Sequence, residues 1–81
     1  MALTIDLFDQ LGIDTDLYSY AYDSIDVVST SFTMYGHMAW YIDMVQTYKV
    51  FGTRIERTFT IAKFEKKVEA EKVYFELMMN L

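Results

Sequence analysis

Two strand-like runs separated by one glycine turn constrain this chain more than any other feature. Residues 40–51 read WYIDMVQTYKVF, residues 54–62 read RIERTFTIA, and Gly52-Thr53 lies between them. Runs this rich in β-branched and aromatic residues favour extended chain. Glycine in the first of two loop positions suits a type II′ turn, where φ must be positive. That loop predicts a register. Phe51 faces Arg54, Val50 faces Ile55, Lys49 faces Glu56, Tyr48 faces Arg57, Thr47 faces Thr58, Gln46 faces Phe59 and Met44 faces Ile61. One face then carries the favourable pairs Lys49–Glu56 and Thr47–Thr58. The other carries Trp40, Ile42, Met44, Val50, Ile55, Phe59 and Ile61, and a slip of one residue would put Trp40 and Ile42 in water.

A helix follows this hairpin almost without a loop. Neither Pro nor Gly occurs after Gly52, so nothing local interrupts it. Phe64, Val68, Phe75, Met78 and Met79 recur at helical spacing, with Tyr74 and Leu81 on the flank. Glu65, Glu69, Lys72 and Glu76 fall opposite. Two charges violate the pattern: Glu71 lies within this apolar face and Arg57 on the apolar face of the hairpin. Either both reach to the rim, or they form a partly buried Arg57–Glu71 pair. Val73 and Leu77 lie off the main face, and offer a contact for the N-terminal segment or for a second copy of the chain.

At the N-terminus, Thr4 caps a short helix over residues 4–11 with Leu7, Phe8 and Leu11 as its stripe. Gly12 followed by Ile13 ends it. Residues 14–24 admit two readings. One is a helix capped by Asp14 or Thr15 with Leu17, Tyr20, Ala21 and Ile25 inward. The other is a strand in which Tyr18, Tyr20 and Tyr22 alternate. The cap residues and Ala21 favour the helix. Residues 25–34 read as a strand. A three-residue loop, Tyr35-Gly36-His37, brings Val28, Phe32 and Met34 onto the Trp40 face, which burial prefers. The expected fold is α+β, one domain spanning 1–81. It comprises an N-terminal helix or helical pair, a three-stranded antiparallel meander, and a C-terminal helix packed on one sheet face.

Charge is divided along the chain. Residues 1–47 hold seven Asp and no Lys or Arg, whereas residues 48–81 hold seven Lys or Arg and five Glu, within a net charge of −5. An acidic balance argues against direct nucleic-acid binding. There is no cysteine, which removes disulfides and thiolate metal sites and fits a cytoplasmic protein. No apolar run is long enough to span a membrane, and the acidic MALTIDLFDQ lacks the basic region of a signal peptide. A chain of 81 residues buries only a modest share of its surface. Its 53% hydrophobic and 17% aromatic content exceeds what a minimal core requires, so a partner surface or oligomerisation would account for the excess.

No motif points to catalysis, a metal or a cofactor. His37 is the single histidine and falls in a predicted turn without partner ligands. Asp14-Thr15-Asp16 matches only the start of a calcium loop. Asp23-Ser24-Ile25-Asp26 resembles the Asp-Ser-Leu attachment site of acyl carrier proteins. In that family the serine caps a long helix; here Val27 to Ser31 is poor helix material, and the rest of the chain departs from the family. Lys63, Lys66, Lys67 and Lys72, with Arg54 and Arg57, alternate with glutamates and read as helical charge pairing.

The segment from Asp14 to Asp26 is the candidate binding surface. Asp14, Asp16, Asp23 and Asp26 interleave with Tyr18, Tyr20 and Tyr22, offering negative charge plus rigid amphipathic contact area. The expected role is a non-enzymatic protein-binding module docking on a basic surface of a partner protein. Its size and charge match viral inhibitors of the anti-restriction or anti-CRISPR kind. The alternative is a structural homo-oligomer joined through Val73 and Leu77, with the charge serving solubility.

Overall fold

The computed structural model describes residues 3–22 and 26–81, the side chains of residues 20–22 excepted. The elements follow the order α1 (Ile5–Gln10), α2 (Thr15–Tyr22), β1 (Val27–His37), β2 (Ala39–Val50), β3 (Thr53–Phe64), α3 (Lys67–Met79). The strands form an antiparallel sheet in the order β1-β2-β3. The fold is the α+β meander expected, and residues 15–22 are helical.

Local chemistry explains α1. The Thr4 hydroxyl accepts a hydrogen bond from the Leu7 N–H at 3.1 Å, satisfying one of the open donors of the first turn. At the other end Gly12 adopts φ +74°. The Ile13 N–H donates to the Phe8 carbonyl at 2.9 Å and the Gly12 N–H to the Asp9 carbonyl at 3.1 Å. These two bonds define a Schellman ending, and Ile13 and Phe8 meet in the core as such endings favour. Asp14 then caps α2, its carboxylate accepting the Asp16 N–H at 2.9 Å.

The β2–β3 turn differs from expectation. Val50 pairs with Thr53 and Lys49 with Arg54, so the loop is Phe51-Gly52 rather than Gly52-Thr53. Both loop residues have positive φ, +50° and +79°, the signature of a type I′ turn, one of the two turn types whose twist matches that of the flanking strands. The expected pairs Lys49–Glu56 and Thr47–Thr58 are replaced by Lys49–Arg54, Thr47–Glu56 and Val45–Thr58. Each strand has moved one step, which changes partners but preserves faces. Ile42, Met44, Phe59 and Ile61 therefore still point to the core. A bulge at Ile42/Asp43 then switches the parity of β3, so that Ala62 and Phe64 also pack against the core. Phe64 closes β3 and does not begin the helix.

On β1, Met34 pairs with Ile42 and Phe32 with Met44, so both face inward as expected, but the strand runs further, to His37. Gly36 sits opposite Trp40. A Cβ at Gly36 would lie 3.0 Å from the indole, so the missing side chain lets Trp40 lie across β1. Val28 was expected inside; a register shift between Val27 and Ser29 leaves it exposed.

One sheet face is covered. Phe8 of α1, Ile13, Phe32, Ile42, Met44, Ile61 and Leu77 of α3 form a continuous buried cluster, and Leu11, Leu17, Tyr18, Val73 and Tyr74 pack around it. The phase of α3 is the main correction to the sequence reading. Ala70 and Leu77 are fully buried, with Val73 and Tyr74 half-buried beside them. Val68, Phe75, Met78 and Met79 are exposed. The helix carries two apolar stripes, and the one with small Ala70 meets the sheet, since a methyl group permits close approach. Leu77 therefore serves the chain's own core, and Val73 packs against that core while staying half-exposed.

This assignment predicts opposite outcomes for neighbouring positions on α3. Leu77→Ala should destabilise the fold by about 2–5 kcal/mol. Phe75→Ala, on the open stripe, should change stability by less than about 0.5 kcal/mol. Urea denaturation of the two variants measures both.

Candidate interaction surface

The acidic helical pair α1–α2 is one candidate surface. Asp6, Asp9, Asp14 and Asp16 are all exposed on it, and α1 and α2 pack against each other. No Lys or Arg occurs in this part of the chain. Asp6 and Asp9 join the surface although the sequence reading singled out only the later aspartates. The signal was present, since both lie outside the Leu7–Phe8–Leu11 stripe. Asp14 is also a cap, which uses one carboxylate oxygen in α2.

The tyrosines divide differently. Tyr18 is half-buried, its ring edge-on to Phe8 at 5.3 Å and 79°. Its hydroxyl donates to the Leu3 carbonyl at 3.4 Å. Tyr18 thus anchors α2 to α1 and keeps part of its ring at the surface. Asp23, with Ser24 and Ile25, and the side chains of Tyr20 and Tyr22 lie outside the described residues. Asp26 is exposed but stands at the foot of the sheet, where its carbonyl accepts the Lys49 N–H at 3.0 Å. The structure therefore places Asp14 and Asp16 on the same packed helical pair as Asp6 and Asp9, and Asp26 just before β1.

The uncovered sheet face is hydroxyl-rich. Cross-strand rows read Tyr35–Tyr41–Lys63, Thr33–Asp43–Thr60, Ser31–Val45–Thr58 and Ser29–Thr47–Glu56. Tyr35 and Tyr41 stack at 5.3 Å and 21°, and the Thr60 hydroxyl donates to Asp43 at 2.8 Å. Such a face is the ordinary wet side of an antiparallel sheet.

A polar cluster on the inner face went unread in the sequence. Gln46 is fully buried, and its amide nitrogen donates to the Thr30 hydroxyl at 3.2 Å. The Tyr48 hydroxyl donates to the Gln46 carbonyl oxygen at 2.6 Å. Arg57 donates in turn to the Tyr48 hydroxyl, with its guanidinium 4.2 Å from the centre of the Tyr48 ring. Arg57 thus belongs to this chain of hydrogen bonds and not to Glu71. Glu71 pairs with Lys67 at 3.8 Å, one helical turn away. Beyond the cluster the inner face is open: Val50 and Ile55, expected in the core, are exposed.

No group of three or more His, Cys, Asp and Glu side chains placed to hold a metal ion occurs among the described residues. No helix among them is long and apolar enough to cross a membrane. His37 is exposed at the end of β1.

The buried cluster carries a prediction. Tyr48→Phe should cost about 1–3 kcal/mol despite a nearly unchanged volume, because the buried Gln46 carbonyl loses its donor and the bond from Arg57 to the Tyr48 hydroxyl is lost. Thermal melts of this variant, beside Tyr41→Phe on the wet face as a neutral reference, test it.

Compared with protein-family models, curated proteins and solved structures, the chain matches none.

Proposed function

We propose that this chain is a non-enzymatic protein-binding module whose acidic helical pair docks on a basic surface of a partner protein. The observation that supports this reading is the set of four exposed aspartates, Asp6, Asp9, Asp14 and Asp16, in a half-chain without Lys or Arg. Like charges gathered on one small element raise the local potential, which steers a cationic partner and rejects anionic ones. The mounting is rigid. The Schellman ending of α1, the Asp14 cap and the Tyr18–Phe8 contact hold the two helices, so little ordering remains to be done on binding.

A surface of this chemistry competes with nucleic acid for a cationic groove. The partner class in this reading is a nucleic-acid-binding protein, and the role is inhibition of the anti-restriction or anti-CRISPR type, exerted in the cytoplasm. Phosphate-binding grooves present Lys and Arg at close spacing, and exposed carboxylates on a small rigid domain are suited to them.

The test is a triple substitution, Asp9, Asp14 and Asp16 each to Asn. Asparagine caps helices about as well as aspartate, so the circular dichroism spectrum should be unchanged. Each exposed ion pair is worth roughly 0.2–1 kcal/mol, so capture of the basic partner should weaken about threefold to a hundredfold. Wild-type capture should also decline as salt rises from 0.05 to 0.5 M, ranges over which screening becomes strong. Capture that ignores both salt and the triple substitution removes this reading.

A further inference from the structure

The two edges of the sheet are built differently. β3 carries Arg54, Glu56, Arg57 and Lys63 and a bulge opposite Ile42/Asp43, which are the usual devices that keep an edge from pairing. β1, VVSTSFTMYGH, contains no Lys, Arg, Asp, Glu or Pro over eleven residues, and from Ser29 onward its register is regular. β1 lies at the end of the strand order, and no described element pairs with its outer side.

The direction of its backbone groups follows from one bond. The Lys49 N–H donates to the Asp26 carbonyl, so odd-numbered residues of β2 turn their backbone groups toward β1. Their partners Ser29, Ser31, Thr33 and Tyr35 are then the hydrogen-bonded positions of β1. Thr30, Phe32 and Met34 turn N–H and C=O to the open edge. These three are the same residues whose side chains face the core.

We infer that β1 pairs antiparallel with β1 of a second copy of this chain, about a two-fold axis at Phe32, giving a six-stranded sheet with all helices on one side. Around this axis Phe32 exchanges hydrogen bonds with its symmetry mate and Thr30 with Met34, about six main-chain bonds in all. An isologous edge of this kind is self-complementary and closes at two copies. The outer side chains that meet are Ser31 and Thr33 of opposite copies, small uncharged hydroxyls that do not repel. α3, the helix with an exposed apolar stripe, packs on this same edge strand. Among the strands, α3 makes its most extensive contact with β1, so pairing here brings two copies of α3 to either side of the axis, each with Val68, Phe75, Met78 and Met79 exposed. The inference is independent of the acidic docking surface, which lies on other elements.

The experiment reads solution mass by light scattering and sedimentation, with amide hydrogen exchange. Wild-type protein should have twice the 9.6 kDa chain mass, and the Thr30, Phe32 and Met34 amides should be protected. Ser31→Lys with Thr33→Lys sets lysine opposite lysine twice across the axis. Both positions are exposed, so the fold should survive while the dimer weakens about tenfold or more. Ser31→Glu with Thr33→Lys sets glutamate opposite lysine, and dimerisation should return. A monomeric wild type at millimolar concentration, a dimer indifferent to the double-lysine change, or a folded glutamate–lysine variant that stays monomeric would each overturn the inference.

Discussion

Burial of one sheet face beneath Phe8 and Leu77 ties the two ends of the chain together. A three-stranded sheet is marginal without a layer against it, and here the layer comes from both termini. Phe8, from the first helix, and Leu77, from the last, are fully buried and belong to the same cluster as Phe32, Ile42, Met44 and Ile61. Neither helix has another place to hide its apolar residues. α1 is only six residues long, too short to persist alone. Its ending at Gly12-Ile13 turns the chain so that Ile13 enters the same core. α1 thus shares its core with the helix at the opposite end of the sequence.

The cover has a limit, and the polar cluster marks it. Where Gln46, Tyr48 and Arg57 lie, the sheet satisfies its inner face with its own hydrogen bonds. Thr30 and Gln46 form a non-hydrogen-bonded cross-strand pair, the kind whose side chains approach most closely, which is why their side chains can bond. Past this point no described element covers the hairpin, and Val50, Phe51 and Ile55 are exposed. Phe51, at φ +50°, occupies a conformation that costs a side-chain-bearing residue about 1–2 kcal/mol. Gly52 carries the second positive φ of the turn without that cost.

The surface divides into regions of different chemistry. The helical pair is acidic, one sheet face is lined with hydroxyls, the β3 edge is charged, and the β1 edge is neutral. The outer stripe of α3 is apolar. Five Glu and seven Lys or Arg in residues 48–81 leave the back half nearly balanced, so the negative field originates in the front half. The proposed docking of the acidic helices and the proposed self-pairing of β1 would use separate surfaces and share no residues.

Local chemistry was enough to determine most of the elements, though it left residues 14–24 open between helix and strand and started the last helix at Phe64, which closes β3. The Thr4 cap, the Gly12-Ile13 stop, the alternation of Trp40, Ile42 and Met44, and the strand order around β2 were all legible, because each depends on residues within a turn or on a period of two. The faces of the hairpin survived an error in its loop, since moving both strands by one step conserves parity. Tertiary structure alone decided the phase of α3. Its sequence offers two apolar stripes of similar strength, and only docking on the sheet selects Ala70 and Leu77 over Val68 and Phe75. Tertiary structure also decided that Tyr18 packs half-buried against the core, that Val50 and Ile55 are exposed, and that Arg57 bonds Tyr48 while Glu71 pairs with Lys67. The outcome depended on how far the helical layer extends, a property of the assembled chain that no window of sequence contains.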